Sequence, residues 1–260
     1  MKWCAKTWVG RTAAILVVLL VGPTLVLMGG SVLGSDWHTA SREAARIAPD
    51  PMQVREAVVH VYGARAFSWR GAFGVHTWIA AKPSNAPAYT VYQVIGWRLR
   101  SGLDVLSIKQ DVPDRYWFGS KPELLAEQRG DGVDALIEKI DRAARAYPYK
   151  DEYTVWPGPN SNTFTAWVAR HAPELKLDLP PTAIGKDFLG SDLLAAAPSG
   201  TGYQVSLGGM LGVLVGVEEG LEINVAGLTF GVDPLGLAFK FPGIGRIGLI
   251  PKVTPNPAVQ

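Results

Sequence analysis

The chain has 260 residues, 48% of them apolar and 18% charged, which is enough apolar material for one globular domain or a domain with a smaller partner. This composition excludes extensive disorder outside the ends. The formal net charge is +2; without Lys2, Lys6 and Arg11, 22 basic residues remain against 23 acidic ones. The body of the chain therefore has no basic excess, and we expect no nucleic-acid partner.

An uncharged run of 22 residues, 13–34, follows these three basic residues. At 1.5 Å per residue it is long enough to cross a hydrocarbon core of about 30 Å, and Trp8 and Trp37 bracket it. We expect a cytoplasmic segment at 1–12, a transmembrane anchor at 13–34 and the bulk of the chain on the periplasmic side of a bacterial inner membrane. A cleaved secretory signal is the alternative, and it exports the same body.

Residues 35–52 are predicted to be a spacer, in which a short helix at 39–51 ends at Pro49 and Pro51. Strand-like runs then follow one another, with a Ser-Asn-Ala-Pro turn between the second and the third. These runs are EAVVHVYGARAF, GAFGVHTWIAAKP, AYTVYQVIGWRLR and LDVLSIKQDV. The simplest inference is an antiparallel sheet.

Three helical patterns come next. Ser120 and Glu123 have the spacing of a capping box, which predicts a helix in KPELLAEQRG. The run GVDALIEKIDRAARAY places apolar residues on one face of a second helix: Val133, Leu136, Ile137 and Ile140. A third helix is predicted at about 161–172, closed by Pro173, with three residues buried: Phe164, Trp167 and Val168.

The glycine-rich tail at 200–250 alternates short apolar runs with turn signals. These signals are Glu218-Glu219-Gly220, Asp233-Pro234 and Pro242-Gly243. The pattern predicts a β-meander packed on the main domain. A hairpin lying on a membrane surface is the alternative, because the apolar stretch 210–217 is too short to span a bilayer.

Few residues remain as candidates for chemistry. The four histidines lack the spacing of a zinc site, and the common serine-hydrolase and phosphate-loop motifs are absent from the sequence. We therefore expect no metal and no cofactor. His76 in the strand GVHTWIAAKP and Ser161 in WPGPNSNTF are the residues that remain.

The order of a strand histidine, a second strand, helices and Asn-Ser-Asn-Thr-Phe opening a helix resembles the circularly permuted papain-like superfamily. That superfamily includes NlpC-related amidases, lecithin retinol acyltransferase-like proteins and PPPDE-type isopeptidases, and its typical motif is Asn-Cys-x-x-Phe. Asn160, Asn162 and Phe164 fit this motif, and Ser161 occupies the cysteine position. The resemblance implies a permuted papain-like α+β core at 53–190.

Most of the chain also resembles an uncharacterised bacterial family, domain of unknown function 3750. The matching stretches include AFSWRGAFGVHTWIAAKP, YQVIGWR, WFGSKPELL, WPGPNSNTF, LDLPPTAIGKDFL and PSGTGYQVSLGG. This resemblance implies no established activity.

A serine at a helix N-terminus lies among free N–H donors, which favour a developing anion, but it needs a base such as His76. Tyr92 or Gln93 is expected to orient that imidazole, and the sequence leaves the choice between them open. The alternative is structural: Ser161 or Asn160 caps the helix, and His76 is a hydrogen-bonded core residue. A pocket wall that holds an anionic or sugar-like ligand is expected from Trp69, Arg70, Trp78, Trp97 and Arg98, and Asn160 and Asn162 are further binding candidates.

Two functions stay open on these residues. The first is an amide or ester hydrolase, or an acyltransferase, of the cell envelope, with Ser161 as nucleophile and His76 as base. The second is a non-catalytic binding module that uses the same cleft. The expected partners are the membrane, through the N-terminal helix, and a peptide, glycan or lipid ligand of the envelope.

Overall fold

The computed structural model of the protein describes residues 17–30 and 36–252. They form a mixed α+β structure with two antiparallel sheets and few helices. This confirms the predicted α+β class with antiparallel sheets.

The first sheet has the strand order β4-β3-β2-β1-β5, and every neighbouring pair in it is antiparallel. Its strands are β1 (Val58–Arg65), β2 (Val75–Lys82), β3 (Thr90–Val94), β4 (Leu106–Gln110) and β5 (Glu123–Arg129). Short 3-10 turns at Ser68–Ala72 and Gly96–Ser101 follow β1 and β3. These turns shape the end of the sheet at which the candidate site lies.

The helical segments are α1 (residues 17–28), α2 (Val133–Arg145) and α3 (Ser161–His171), followed by a 3-10 turn at Pro173–Leu175. The predicted apolar face of α2 is buried, and Phe164 and Val168 of α3 are fully buried. Both helices pack on one face of the first sheet. The predictions for these two helices are confirmed except for Trp167, which is only partly buried.

Both faces of the first sheet are apolar and covered. On the helix face, Val59 and Ile79 pack with Ile140 and Phe164 in the main core. On the opposite face, a second cluster around Tyr62 and Trp78 is closed by the segment 47–54 and by Trp117, among others. A sheet buried on both sides holds its functional residues rigidly.

The second sheet is a meander in which each strand pairs with its neighbours in the chain, in the order β12-β11-β10-β9-β8-β7-β6. Its strands are β6 (Leu194–Ala196), β7 (Gly202–Leu207), β8 (Leu211–Gly216), β9 (Gly220–Val225), β10 (Leu228–Asp233), β11 (Ala238–Phe241) and β12 (Gly245–Gly248). The turns between β8 and β9, β10 and β11, and β11 and β12 fall at the three turn signals read from the sequence.

The predicted helix in KPELLAEQRG is wrong, because Glu123–Arg129 is strand β5. It pairs with β1 along the free edge of the first sheet, with Val61 opposite Ala126 and Tyr62 opposite Leu124. The backbone groups of an unpaired β1 edge need partners, and this requirement outweighs the helix propensity of Glu, Leu, Ala and Gln.

The short helix predicted at 39–51 is also wrong, because this segment is irregular. Ala44 forms an isolated β-bridge with Arg115. The buried Asp114 carboxylate accepts hydrogen bonds from the N–H groups of Ile47 and Ala48. A carboxylate from a distant loop therefore satisfies the backbone that a helix would have satisfied locally.

The prediction of a single-pass inner-membrane protein is contradicted. Within residues 17–30 and 36–252, no helix is both long and apolar enough to cross a bilayer. Residues 1–16 and 31–35, which include both ends of the predicted span, lie outside the described residues.

Candidate functional site

Ser161 and His76 line one cavity of about 760 Å³ at the end of the first sheet where α3 begins. The turns after β1 and β3 form two of its walls, and residues 153–156 form a third. Ala226 and Leu228, at the β9–β10 hairpin of the second sheet, complete the lining. The structure thus brings the two predicted residues to the same cavity.

Ser161 is the first residue of α3, and the helix cap is Asn160. The Asn160 Oδ1 accepts hydrogen bonds from the N–H groups of Asn162 (2.9 Å) and Thr163 (3.2 Å). The Thr163 hydroxyl in turn accepts from the Asn160 N–H at 3.1 Å, which completes a capping box. Capping therefore requires nothing of the Ser161 side chain.

Asn160 and Asn162 hold the start of α3 in place. Each donates through Nδ2 to the Ile184 carbonyl, at 3.0 and 2.8 Å. Asn162 also donates to the Val75 carbonyl at 3.0 Å and accepts from the Thr77 hydroxyl at 2.9 Å, so it joins α3 to β2. Both line the cavity, although their amide groups are occupied by these contacts.

His76 reaches the cavity from the face of the sheet opposite α3. Its neighbour Thr77 points to α3, where its hydroxyl oxygen lies 2.9 Å from Thr165 Oγ1, and successive strand residues point to opposite faces. The His76 Nε2 lies 3.3 Å from Gln93 Oε1, and no hydrogen bond joins His76 to Ser161 among the described residues. An Nε2–H that donates to Gln93 leaves Nδ1 as the acceptor.

The His76 ring is closely covered. It is stacked on Trp117 with ring centres 3.6 Å apart and an interplanar angle of 14°, and it is 5% exposed. Burial lowers the pKa of His76 to about 3, and the Gln93 hydrogen bond offsets only part of this effect. The imidazole is therefore neutral throughout the physiological pH range.

Tyr153 is a site residue that the sequence reasoning missed. Burial raises the pKa of its phenol, whereas the neighbouring Ser161 side chain and the Arg70 charge lower it. A Cβ on Gly96 would lie 2.5 Å from the Tyr153 ring, so glycine at 96 is what lets the ring lie in the cavity wall. The YPYKDEY stretch gives no signal for this contact, because Gly96 is far away in the chain.

Aromatic side chains dominate the cavity walls, and five tryptophans of the described part of the chain contribute: Trp37, Trp69, Trp97, Trp117 and Trp156. Phe118 stacks on Trp37 at 4.0 Å, and Trp97 on Trp117 at 5.6 Å. Most of these residues were missed, because they come from distant segments that only the fold brings together. The adjacent Trp117 and Phe118, in RYWFGS, are the one local signal that could have indicated an aromatic wall.

The charge of the lining is positive. Arg70 and Arg100 are exposed at the cavity, and no acidic side chain of the residues that the structure describes contributes to its lining. Neither arginine forms an ion pair with a described residue. The arrangement therefore favours an anion beside an aromatic surface.

Of the residues predicted to form a pocket wall, some line the cavity and others do not. Trp69, Arg70 and Trp97 line the cavity, as predicted for a pocket wall. Trp78 is buried with its Nε1 donating to the Pro113 carbonyl at 2.7 Å, and Arg98 donates to the Asp104 carbonyl at 2.8 Å; neither lines the cavity.

Of the two residues proposed to orient His76, Gln93 makes the contact. The Tyr92 hydroxyl instead lies 3.4 Å from Asp141, on the helix face of the sheet, and burial with the Asp141 charge raises its pKa to about 12.

Residues 56–188 match a family model described as "Protein of unknown function (DUF3750)". The chain belongs to this family. The match covers the first sheet, α2, α3, His76 and Ser161, and it ends before the second sheet. No curated protein and no solved structure matches the chain. The predicted family is therefore confirmed, and the papain-like resemblance is not.

Proposed function

We propose that this protein is a binding module whose aromatic cavity holds an anionic ligand with a flat or ring-shaped apolar part. The observation that carries the proposal is the lining: within residues 17–30 and 36–252 it contains five tryptophans and two arginines and no acidic residue. Aromatic faces stack on rings, and a guanidinium pairs with a carboxylate, sulfonate or phosphate. A cavity of about 760 Å³ lies in the size range of small-molecule sites.

The same geometry argues against catalysis as the main role. A general base works best with a pKa near the working pH, and the pKa of His76 is lowered to about 3. The imidazole is bound to Gln93, is covered by Trp117 and makes no hydrogen bond with Ser161 among the described residues. These contacts suit a residue that supports the cavity floor.

A pair of dyes tests the charge and the aromatic surface separately. 8-Anilinonaphthalene-1-sulfonate is an aromatic anion, and N-phenyl-1-naphthylamine is its uncharged analogue. We expect the double variant Arg70→Gln/Arg100→Gln to weaken binding of the sulfonate at least tenfold and to change the affinity of the uncharged dye less than twofold. Trp97→Ala should weaken both dyes, because it removes a stacking surface.

Two control variants test whether the dyes bind in the cavity. Arg142→Gln removes an exposed arginine on α2, away from the cavity, and should leave both affinities unchanged. Val213→Lys places a charge on the apolar outer surface of the second sheet, which is the other surface on which we expect such dyes to bind. An unchanged affinity for the sulfonate dye in both the arginine double variant and the Trp97→Ala variant would contradict the proposal.

The second candidate function is acyl transfer by a permuted papain-like site. One observation favours it: the Ser161 N–H at the start of α3 has no hydrogen-bond acceptor among the described residues and lies at the cavity. Such an N–H can stabilise the oxyanion of a tetrahedral intermediate, worth about 10²–10³-fold in rate.

In this chemistry the Ser161 hydroxyl attacks an ester or amide carbonyl and its proton passes to Nδ1 of His76. The proton is then delivered to the departing alcohol or amine as the acyl-enzyme forms, and water or a second acceptor releases the acyl group. The base contributes about 10²–10⁴-fold if His76 and Ser161 come together when substrate binds.

Ser161→Cys separates the two functions. Cys4 is the only natural cysteine, so the variant is made in a Cys4→Ser background. An acyl-transfer site should acylate the new thiol with a thioester probe, and His76→Gln should abolish that reaction. The binding proposal predicts no acylation above that of a Leu103→Cys control on the exposed surface, and no loss of p-nitrophenyl ester turnover in Ser161→Ala.

A further inference from the structure

The second sheet has an apolar outer face, meaning the side of β6–β12 that points away from the rest of the protein. One row of side chains crosses six strands of this face: Tyr203, Val215, Leu221, Val232, Phe239 and Ile247. Their exposed fractions run from 38% to 71%. A second row contains Val205, Val213 and Ile223, which are 44% to 52% exposed.

All four charged residues within these strands lie on the other, inner face. Glu222, Lys240 and Asp233 are buried there, and Arg246 pairs with Asp233 at 3.0 Å. Lys240 lies 2.6 Å from both Glu222 and Asp178, and Lys186 also pairs with Glu222. The inner ion pairs fix which side of the sheet faces the protein, and the apolar side consequently faces outward.

This outer face is large for a monomer. Seven strands about 4.8 Å apart, with central strands of six residues at about 3.3 Å each, give a flat area of about 600 Å². That area is at the upper end of the largest apolar patch found on typical monomers, about 300–600 Å². Two such faces in contact bury about 1,200 Å², the lower bound of stable protein interfaces.

We propose that the outer face binds a second copy of this chain. Because the face carries no charge, two copies meet without burying an unpaired ion. Branched and aromatic side chains in regular rows are the surface with which sheets interdigitate at about 10 Å in a β-sandwich. The face is its own complement, as a two-fold interface requires.

The sheet order allows a simple two-fold arrangement. β9 is the fourth of the seven strands, so a two-fold axis parallel to β9 places the centre of the face against the same centre of the second copy. β6 then faces β12, and Ile223 at the middle of β9 lies opposite its own equivalent. The interface belongs to the part of the chain beyond residue 188, outside the family match.

Sedimentation equilibrium of the full chain tests the proposal. We expect a mass of about twice 27.9 kDa at micromolar concentration. Val213→Lys and Ile223→Lys place a charge at the centre of the face and should each raise the dimer dissociation constant at least a hundredfold, with an unchanged far-ultraviolet spectrum. Leu103→Lys, at an exposed leucine away from this sheet, is the matched control and should remain dimeric.

Crosslinking tests the geometry independently of whether a lysine variant folds. In a Cys4→Ser background, Ile223→Cys should give a covalent dimer with a short bis-maleimide, and Leu103→Cys should not. A monomeric full chain without a crosslink at position 223 would overturn the proposal. Binding of phosphatidylglycerol vesicles by a monomeric chain, lost in Val213→Lys, would overturn it in favour of a lipid surface.

Discussion

The two sheets of this protein differ in which of their faces the rest of the protein covers. The first sheet is apolar on both faces and covered on both, by α2 and α3 on one side and by the loop segments around Ala48 and Trp117 on the other. The second sheet covers a polar face through buried ion pairs and leaves its apolar face open. Hydrophobic burial holds the first sheet, whereas paired charges orient the second.

The difference shows that alternation of apolar and polar residues gives the two faces of a strand but not which face is covered. In β9 the alternation of Leu221, Glu222 and Ile223 reads as a strand with apolar residues inside. The structure places Glu222 inside and the two apolar residues outside, because Lys186 and Lys240 supply the countercharges.

Of the predictions that compare the two sheets, we expect the largest change in stability from breaking the buried ion pairs of the second sheet. Burial alone would raise the pKa of Glu222, but Lys186 and Lys240 lower it. Glu222→Ala leaves two buried ammonium groups with fewer partners, and we expect it to lower the free energy of unfolding by about 3–5 kcal/mol in urea titrations.

The control is Glu138→Ala, which breaks an exposed pair with Arg142 on α2 and should cost no more than about 1 kcal/mol. A Glu222→Ala variant no less stable than this control would contradict the proposed role of the ion pairs.

A matched pair of isoleucines compares the apolar residues of the two sheets. Ile79 in β2 is fully buried, and Ile223 in β9 is 46% exposed. Ile79→Ala should lower the free energy of unfolding by about 2–5 kcal/mol, whereas Ile223→Ala should change it by about 0.5 kcal/mol or less in the dilute limit, where self-association is removed. Equal losses in dilute solution would show that the second sheet is also held by apolar burial.

Acid should destabilise the first sheet through His76. Below pH 6.5 the unfolded chain binds a proton at this residue that the folded chain, with its pKa lowered to about 3, does not bind. Stability therefore falls as pH drops from 6.5 towards 3, by about 2 kcal/mol at pH 5.

Thermal unfolding at pH 7.5 and pH 5 checks this effect. His76→Gln should reduce the acid-induced loss, and the exposed-site control His171→Gln should not. An acid dependence that is identical in both variants would show that His76 is protonated in the folded protein.

The sequence predicted local elements well where they carry their own signal. The runs now seen as β1 to β4, the apolar stripe of α2 and the Asn-Ser-Asn-Thr-Phe start of α3 are local patterns. The segment 39–51 was predicted as a short helix that ends at Pro49 and Pro51, and 121–130 as a helix that opens with a capping box at Ser120 and Glu123. Contacts with Asp114 and with the edge of β1 decide their structure, and neither contact is local.

The residues of the candidate site also divide into those with a local sequence signal and those placed by contacts between distant segments. His76, Gln93 and Ser161 were found because a motif and two neighbouring strands carry them. Tyr153, Trp117 and Trp156 were missed because their positions in the cavity wall depend on turns far apart in the chain. The side of β2 on which His76 lies was also beyond the sequence, because both faces of that strand are buried.

A crystal structure of the protein with 8-anilinonaphthalene-1-sulfonate bound tests the central claim most directly. The account predicts the rings stacked against the exposed Trp97, with the sulfonate within hydrogen-bond distance of Arg70 or Arg100. A dye found only on the outer face of the second sheet, with the aromatic cavity empty, would contradict it.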